Sequence, residues 1–180
     1  MIKLRGYIEF KEEMLLWKLG SNIKSNSEYI KKHLKMCRRI LDAKTLVISA
    51  FPGTGKSYYF KNSDLNVKDS DSSTFDKSKF PDNYIKHIRD HIGKVDIIMV
   101  SSHEEVRDAL VSNKIDFVLV YPDISLKNEY IKRFNERGNP ESFISLLSNN
   151  WDNWITKMDE QADCVSYKLQ SKKYLSNILI

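Results

Sequence analysis

The chain has little of what would mark it as secreted, membrane-bound or disordered. Its 180 residues include only two cysteines, Cys37 and Cys164, far apart and outside any metal-ligand spacing. That excludes a disulfide framework or a thiolate metal site and predicts two reduced thiols. Six glycines and four prolines are too few for a linker-rich chain, and there is no internal repeat or low-complexity tract. No apolar run approaches the length of a bilayer span, and the opening Met1-Ile-Lys-Leu-Arg-Gly-Tyr-Ile-Glu9 lacks an uninterrupted apolar core. The expectation is a cytoplasmic protein with no membrane partner. What is there is ordinary for a globular chain: 41% hydrophobic and 29% charged residues, enough for one domain with a sizeable core.

The net charge of +5 is unevenly placed. Residues 1–43 hold 10 Lys and Arg against 5 Asp and Glu, and the remainder is balanced at 19 against 19. Residues 7–19 and 27–41 carry apolar residues at three- and four-residue spacing, including Ile30, Leu34, Cys37 and Leu41. Both stretches predict amphipathic helices, joined by a Ser- and Asn-rich turn at 20–27. This 1–43 extension reads either as a layer packed on the rest of the fold with a solvated lysine face, or as a footprint for nucleic acid.

The most informative stretch is Thr45-Leu-Val-Ile-Ser-Ala-Phe-Pro-Gly-Thr-Gly-Lys-Ser57, an apolar, β-branched run that ends in a glycine-rich turn and Lys-Ser. Such a strand delivers a loop whose glycines let backbone N–H groups turn inward on a phosphate. Lys56 then neutralises the terminal phosphates and Ser57 offers a hydroxyl to magnesium. Against G-x-x-x-x-G-K-[ST] the match runs from 50 to 57, with Ala50 in the first glycine's place. A small residue suffices where a strand leaves its sheet.

Downstream, four more strands are predicted, at 65–68, 95–100, 115–121 and 164–169. The second runs into Asp69-Ser-Asp71, two carboxylates at i and i+2 on extended backbone. They point the same way at a strand's C-terminal end, where one can hold magnesium or take a proton from an attacking hydroxyl. The third ends in Ser101-Ser-His103 rather than an acidic residue, which makes Ser101, His103 and Arg107 candidates for phosphate or substrate contact, unless Ser102 merely caps the next helix. Helices are expected from Ser57 to Asn62, after Pro81, after His103, from Ser125 to Gly138, from Glu141 to Ile155 and from Ser171 to Ile180. His87 and His91 lie four apart among charged residues and predict a solvated face. Arg133 and Arg137 are one helical turn apart, placed either to clamp a transferring phosphoryl group or to pair with Glu129 and Glu136 on the surface.

Strands alternating with helices predict a parallel sheet covered on both faces by right-handed crossovers. In the order of its phosphate loop at 50–57, its Asp-Ser-Asp at 69–71 and its Arg-x-x-x-Arg at 133–137, the chain resembles the P-loop small-molecule kinases. That is the nucleoside monophosphate kinase-like superfamily, including shikimate- and gluconate-type kinases, and the chain is also similar to nucleotide-kinase-like proteins encoded by bacteriophages and gut bacteria. The resemblance implies an α/β P-loop NTPase fold, a three-layer sandwich with a five-stranded parallel sheet at 44–180. It further implies a lid segment near 125–142 and the extension 1–43 ahead of the core. It implies ATP and Mg2+ as cofactors, and transfer of the γ-phosphoryl group to a nucleotide or other small hydroxyl or phosphate acceptor. Gly53, Thr54, Gly55, Lys56, Ser57 and Tyr58 would bind the nucleotide, with Ser57 and Asp69 on the metal. Asp69 or Asp71 would orient or deprotonate the acceptor, Arg133 and Arg137 would be lid arginines, and the loop at 169–173 would lie by the adenine. Two other functions fit the same residues: a phage-type kinase acting on a hydroxymethylated base in DNA, and a nucleotide-binding regulator without turnover.

Overall fold

The computed structural model describes residues 2–20 and 27–179; the predicted turn between the first two helices lies, at 21–26, outside the described residues. The elements run α1 (Ile2–Gly20), α2 (Ser27–Asp42), β1 (Leu46–Ala50), α3 (Lys56–Asn62), β2 (Val67–Asp69), α4 (Asp82–His91), β3 (Ile97–Ser101), α5 (Glu104–Ser112), β4 (Val118–Pro122), α6 (Lys127–Glu136), α7 (Glu141–Asp159) and β5 (Val165–Leu169). All five strands are parallel, in the order β2-β3-β1-β4-β5.

This order decides where every helix goes. From β1 the chain steps across β3 to β2, and each later crossover steps back in the opposite direction. Right-handed crossovers therefore put α3 on one face and α4 to α7 on the other. The side chains agree, because successive strand residues face opposite ways. Val47, Ile98, Val100 and Leu119 pack with Tyr84 and Ile88 of α4, Leu110 of α5 and Trp151 of α7. Ile48, Met99, Val118 and Val120 turn to the face that carries Tyr59 of α3.

A seven-residue helix cannot cover five strands. Helices α1 and α2 fill the gap with Leu4, Ile8, Ile30, Leu34 and Ile40, joined by Leu175, Ile178 and Leu179 of the C-terminal tail. The basic extension is therefore a layer of the fold. Several of its cations are used inside the chain: Arg38 pairs with Glu12 at 2.7 Å, Arg39 with Asp116 at 2.6 Å, and Lys32 with Asp163. Tyr7 and Lys11 donate to the carbonyl of Ser166 in β5. Helix α1 starts earlier than its periodicity suggests, and its Leu4 N–H donates to Ile178 in the tail at 2.8 Å.

Three expectations need correction. The closing helix from Ser171 is only one 3-10 turn, Leu175–Asn177, because the tail spends its backbone groups on neighbours: Leu175 N–H donates to Thr54 and the Leu179 carbonyl accepts from Tyr59. Ser102 does not cap α5. It is buried, His103 takes the cap position without a side-chain bond, and the Ser102 carbonyl accepts from Arg107 at 2.6 Å. His87 and His91 are half-buried: His87 meets the Ser70 hydroxyl at 3.1 Å and stacks on Tyr84.

Candidate functional site

At the C-terminal edge of the sheet lies a cavity of about 940 Å³, walled by the β1–α3 loop, the ends of β2 and β3, the α6–α7 corner and the tail. Open parallel sheets place ligands at this edge because the strand ends splay where the chain direction of the connections reverses. Here that reversal falls beside β1.

The loop after β1 is shaped by its glycines. Gly53 (φ 78°) and Gly55 (φ 94°) both hold left-handed backbone, and a Cβ on Gly53 would stand 2.9 Å from the Phe134 ring. No side chain caps α3, and its first-turn residues Lys56, Ser57 and Tyr58 line the cavity. Lys56 reaches back over the loop, donating to the carbonyls of Ala50 and, at 3.1 Å, of Phe51. Burial pulls its pKa down to about 8, with Asp69 and Asp71 acting the other way and the Arg137 charge reinforcing the fall.

Asp69 ends β2, one residue beyond the predicted strand, and its carboxylate accepts from the Ser57 hydroxyl at 3.3 Å. Asp71 also lines the cavity, but it is exposed and its carboxylate is occupied by the Ser73 N–H at 2.8 Å, capping a 3-10 turn. The two acids therefore differ, although their spacing makes them look alike. The fully buried Tyr84 holds this wall: its hydroxyl donates to the Ser70 carbonyl at 2.6 Å and accepts from Ser101 N–H at 3.1 Å. Ser101 and His103 line the same cavity from the end of β3. Desolvation, then the nearby cations Lys77 and Lys56, hold the His103 imidazole below its ordinary pKa.

The two arginines, Arg133 in α6 and Arg137 just past its end, part company. Arg137 lines the cavity, and its side chain has no hydrogen-bond or ion-pair partner among the described residues. Arg133 also borders the cavity but is 8% exposed, paired with Glu129 and donating to the Gly53 carbonyl at 3.2 Å. Burial alone would raise the pKa of Glu129; hydrogen bonds from Ser171, the Lys172 N–H and Arg133 outweigh it and hold the carboxylate low. The predicted surface pairing is thus formed by one arginine only, while Glu136 turns to Lys132 at 3.8 Å.

No protein-family model matches the chain, and no curated protein matches it.

Gly53, Gly55, Lys56, Ser57, Tyr58, Asp69, Asp71, Arg133 and Arg137, scattered over 85 positions of sequence, border one cavity. Thr54 does not: it is fully buried and its hydroxyl donates to Phe51 at 2.7 Å, tying the loop together. Arg107 is spent on Ser102 and Gln161. Tyr174 carries no signal in the sequence. It lines the cavity, with its ring 4.0 Å from the Arg133 guanidinium and against Gly55. It lies 119 residues beyond Gly55 with no local motif around it, so only the fold brings it there. Lys172, in the predicted adenine loop, also reaches the cavity.

Proposed function

We propose that the chain is a P-loop phosphotransferase that moves the γ-phosphoryl group of ATP to a small acceptor. The observation that carries this reading is the convergence of Lys56, Ser57 and Asp69 on one cavity of about 940 Å³, with Ser57 bonded to Asp69 beside the glycine loop. Anionic phosphates on the loop would take the Lys56 ammonium from the carbonyls it now holds.

The Ser57–Asp69 pair fits magnesium. Among the described residues no group of three or more His, Cys, Asp or Glu stands ready to hold a metal ion. Magnesium keeps several waters and is commonly held by one or two protein oxygens with substrate phosphates. Ser57 and Asp69 would hold it, and the ion would offset charge on the β- and γ-phosphates. The remaining work is positioning and charge stabilisation, which is how phosphoryl transfer is catalysed. Arg137, with its charge unpaired, faces the developing charge, and Asp69 or Asp71 orients the acceptor hydroxyl.

Lys56→Ala tests the reading. The variant keeps its circular dichroism spectrum and loses ATP turnover across an acceptor panel of nucleotides, nucleosides, sugars and hydroxy acids. Turnover equal to that of the parent chain would sink the proposal.

A further inference from the structure

The last turn of the chain is bonded into the phosphate loop by a device centred on Glu129 and Arg133. Arg133 donates to the Gly53 carbonyl at 3.2 Å and to the Lys173 carbonyl at 3.4 Å, so one guanidinium spans the loop and the tail. Its flat faces are covered by Tyr130, 4.5 Å to the ring centre, and Tyr174, 4.0 Å. Glu129 holds that guanidinium and collects the tail separately, accepting from the Ser171 hydroxyl at 2.7 Å and the Lys172 N–H at 2.9 Å. Two further bonds complete the junction: Leu175 N–H donates to the Thr54 carbonyl at 2.9 Å, and the Asn177 side chain accepts from Tyr174 N–H at 2.8 Å.

We infer that Glu129 and Arg133 are positioning residues that couple the C-terminal tail to the phosphate loop, so that the nucleotide site is complete only with the tail docked. This rests on the phosphotransferase reading for the identity of the ligand. The physical reason is the nature of the loop. A glycine-rich segment loses more conformational freedom on ordering than any other, and a ligand that must impose the order loses affinity by that amount. A buried, bidentate-capable guanidinium fixing the carbonyl between two left-handed glycines supplies the order in advance. Coupling is reciprocal: what the tail does for nucleotide affinity, bound nucleotide must do for tail docking.

The test uses the full chain, its Glu129→Gln and Arg133→Lys variants and the double variant that combines these two, with ATP·Mg affinity measured by calorimetry and amide hydrogen exchange followed at 53–57 and 171–179. Expected are a roughly tenfold or greater weakening of nucleotide binding in Glu129→Gln and Arg133→Lys and faster exchange in both segments together. In the parent chain, ATP should slow exchange in the tail as well as in the loop. The double variant should weaken binding by less than the product of the single effects, since both act through one junction. Variants that lose thermal stability but bind ATP normally when folded, or exchange that rises in the tail alone, would overturn the coupling. Failure of the parent chain to bind ATP would instead strike the phosphotransferase reading, and the parent chain's tail exchange would then be unchanged by ATP.

Discussion

The Ser57 hydroxyl donates to the Asp69 carboxylate across 3.3 Å, joining the first turn of α3 to the last residue of β2. Strand β2 is one of the sheet's two outer strands and β3 lies between it and β1, so this bond joins the acidic loop to the glycine loop over the end of β3. The pair sets different duties for two acids that look alike in sequence.

Asp69→Asn should abolish most phosphoryl transfer, by at least about a hundredfold, because it removes the negative charge that meets the Ser57 hydroxyl. Higher magnesium should restore part of it. Asp71→Asn should cost far less activity, since its carboxylate already caps the turn through Ser73 N–H, and asparagine caps nearly as well. Steady-state rates at two magnesium concentrations decide it. Equal losses for both variants would erase the distinction.

Arg137→Ala should lower kcat by about tenfold or more with little change in thermal midpoint, because a charge aimed at a transferring phosphoryl is worth more than about 1.4 kcal/mol and this side chain holds nothing else in place. Arg133→Ala should unsettle the fold as well, for it is buried and bonded to Gly53, Lys173 and Glu129. Stability curves beside kinetics separate the two. A kcat unchanged in Arg137→Ala would remove that residue from the reaction.

The lysine of the loop carries a pH signature. Its folded pKa of about 8 lies below the ordinary 10.5, so between those values the unfolded chain holds a proton that the folded chain has released. Stability of the ligand-free protein then rises with pH across that window, and below about pH 8 the burial penalty is constant. The thiols of Cys37 and Cys164, whose pKa values burial raises, act in the opposite sense. The relevant quantity is therefore the difference between the parent chain and Lys56→Met, followed by urea denaturation from pH 7.5 to 10.5. The parent should gain on the variant as pH rises. A constant difference would mean that Lys56 is not desolvated.

Local chemistry in the sequence was enough for the strand-loop-helix at 46–62, the alternation of strands and helices, and the five parallel strands, since β-branched runs, glycine turns and helical spacing are written residue by residue. Gly53, Gly55, Lys56 and Ser57 could be read from the same window. Pairings between distant segments are written nowhere locally. That Asp71 caps a turn while Asp69 meets Ser57, and that Arg133 is buried against Gly53 while Arg137 stays open, follows from which face of α6 packs and how the 69–74 loop bends. Tyr174 reaches Gly55, and α1 and α2 become the missing layer of the sheet, for one reason. A strand order of β2-β3-β1-β4-β5 with right-handed crossovers sends all but one crossover to a single face, and the bare face has to be covered by the two ends of the chain.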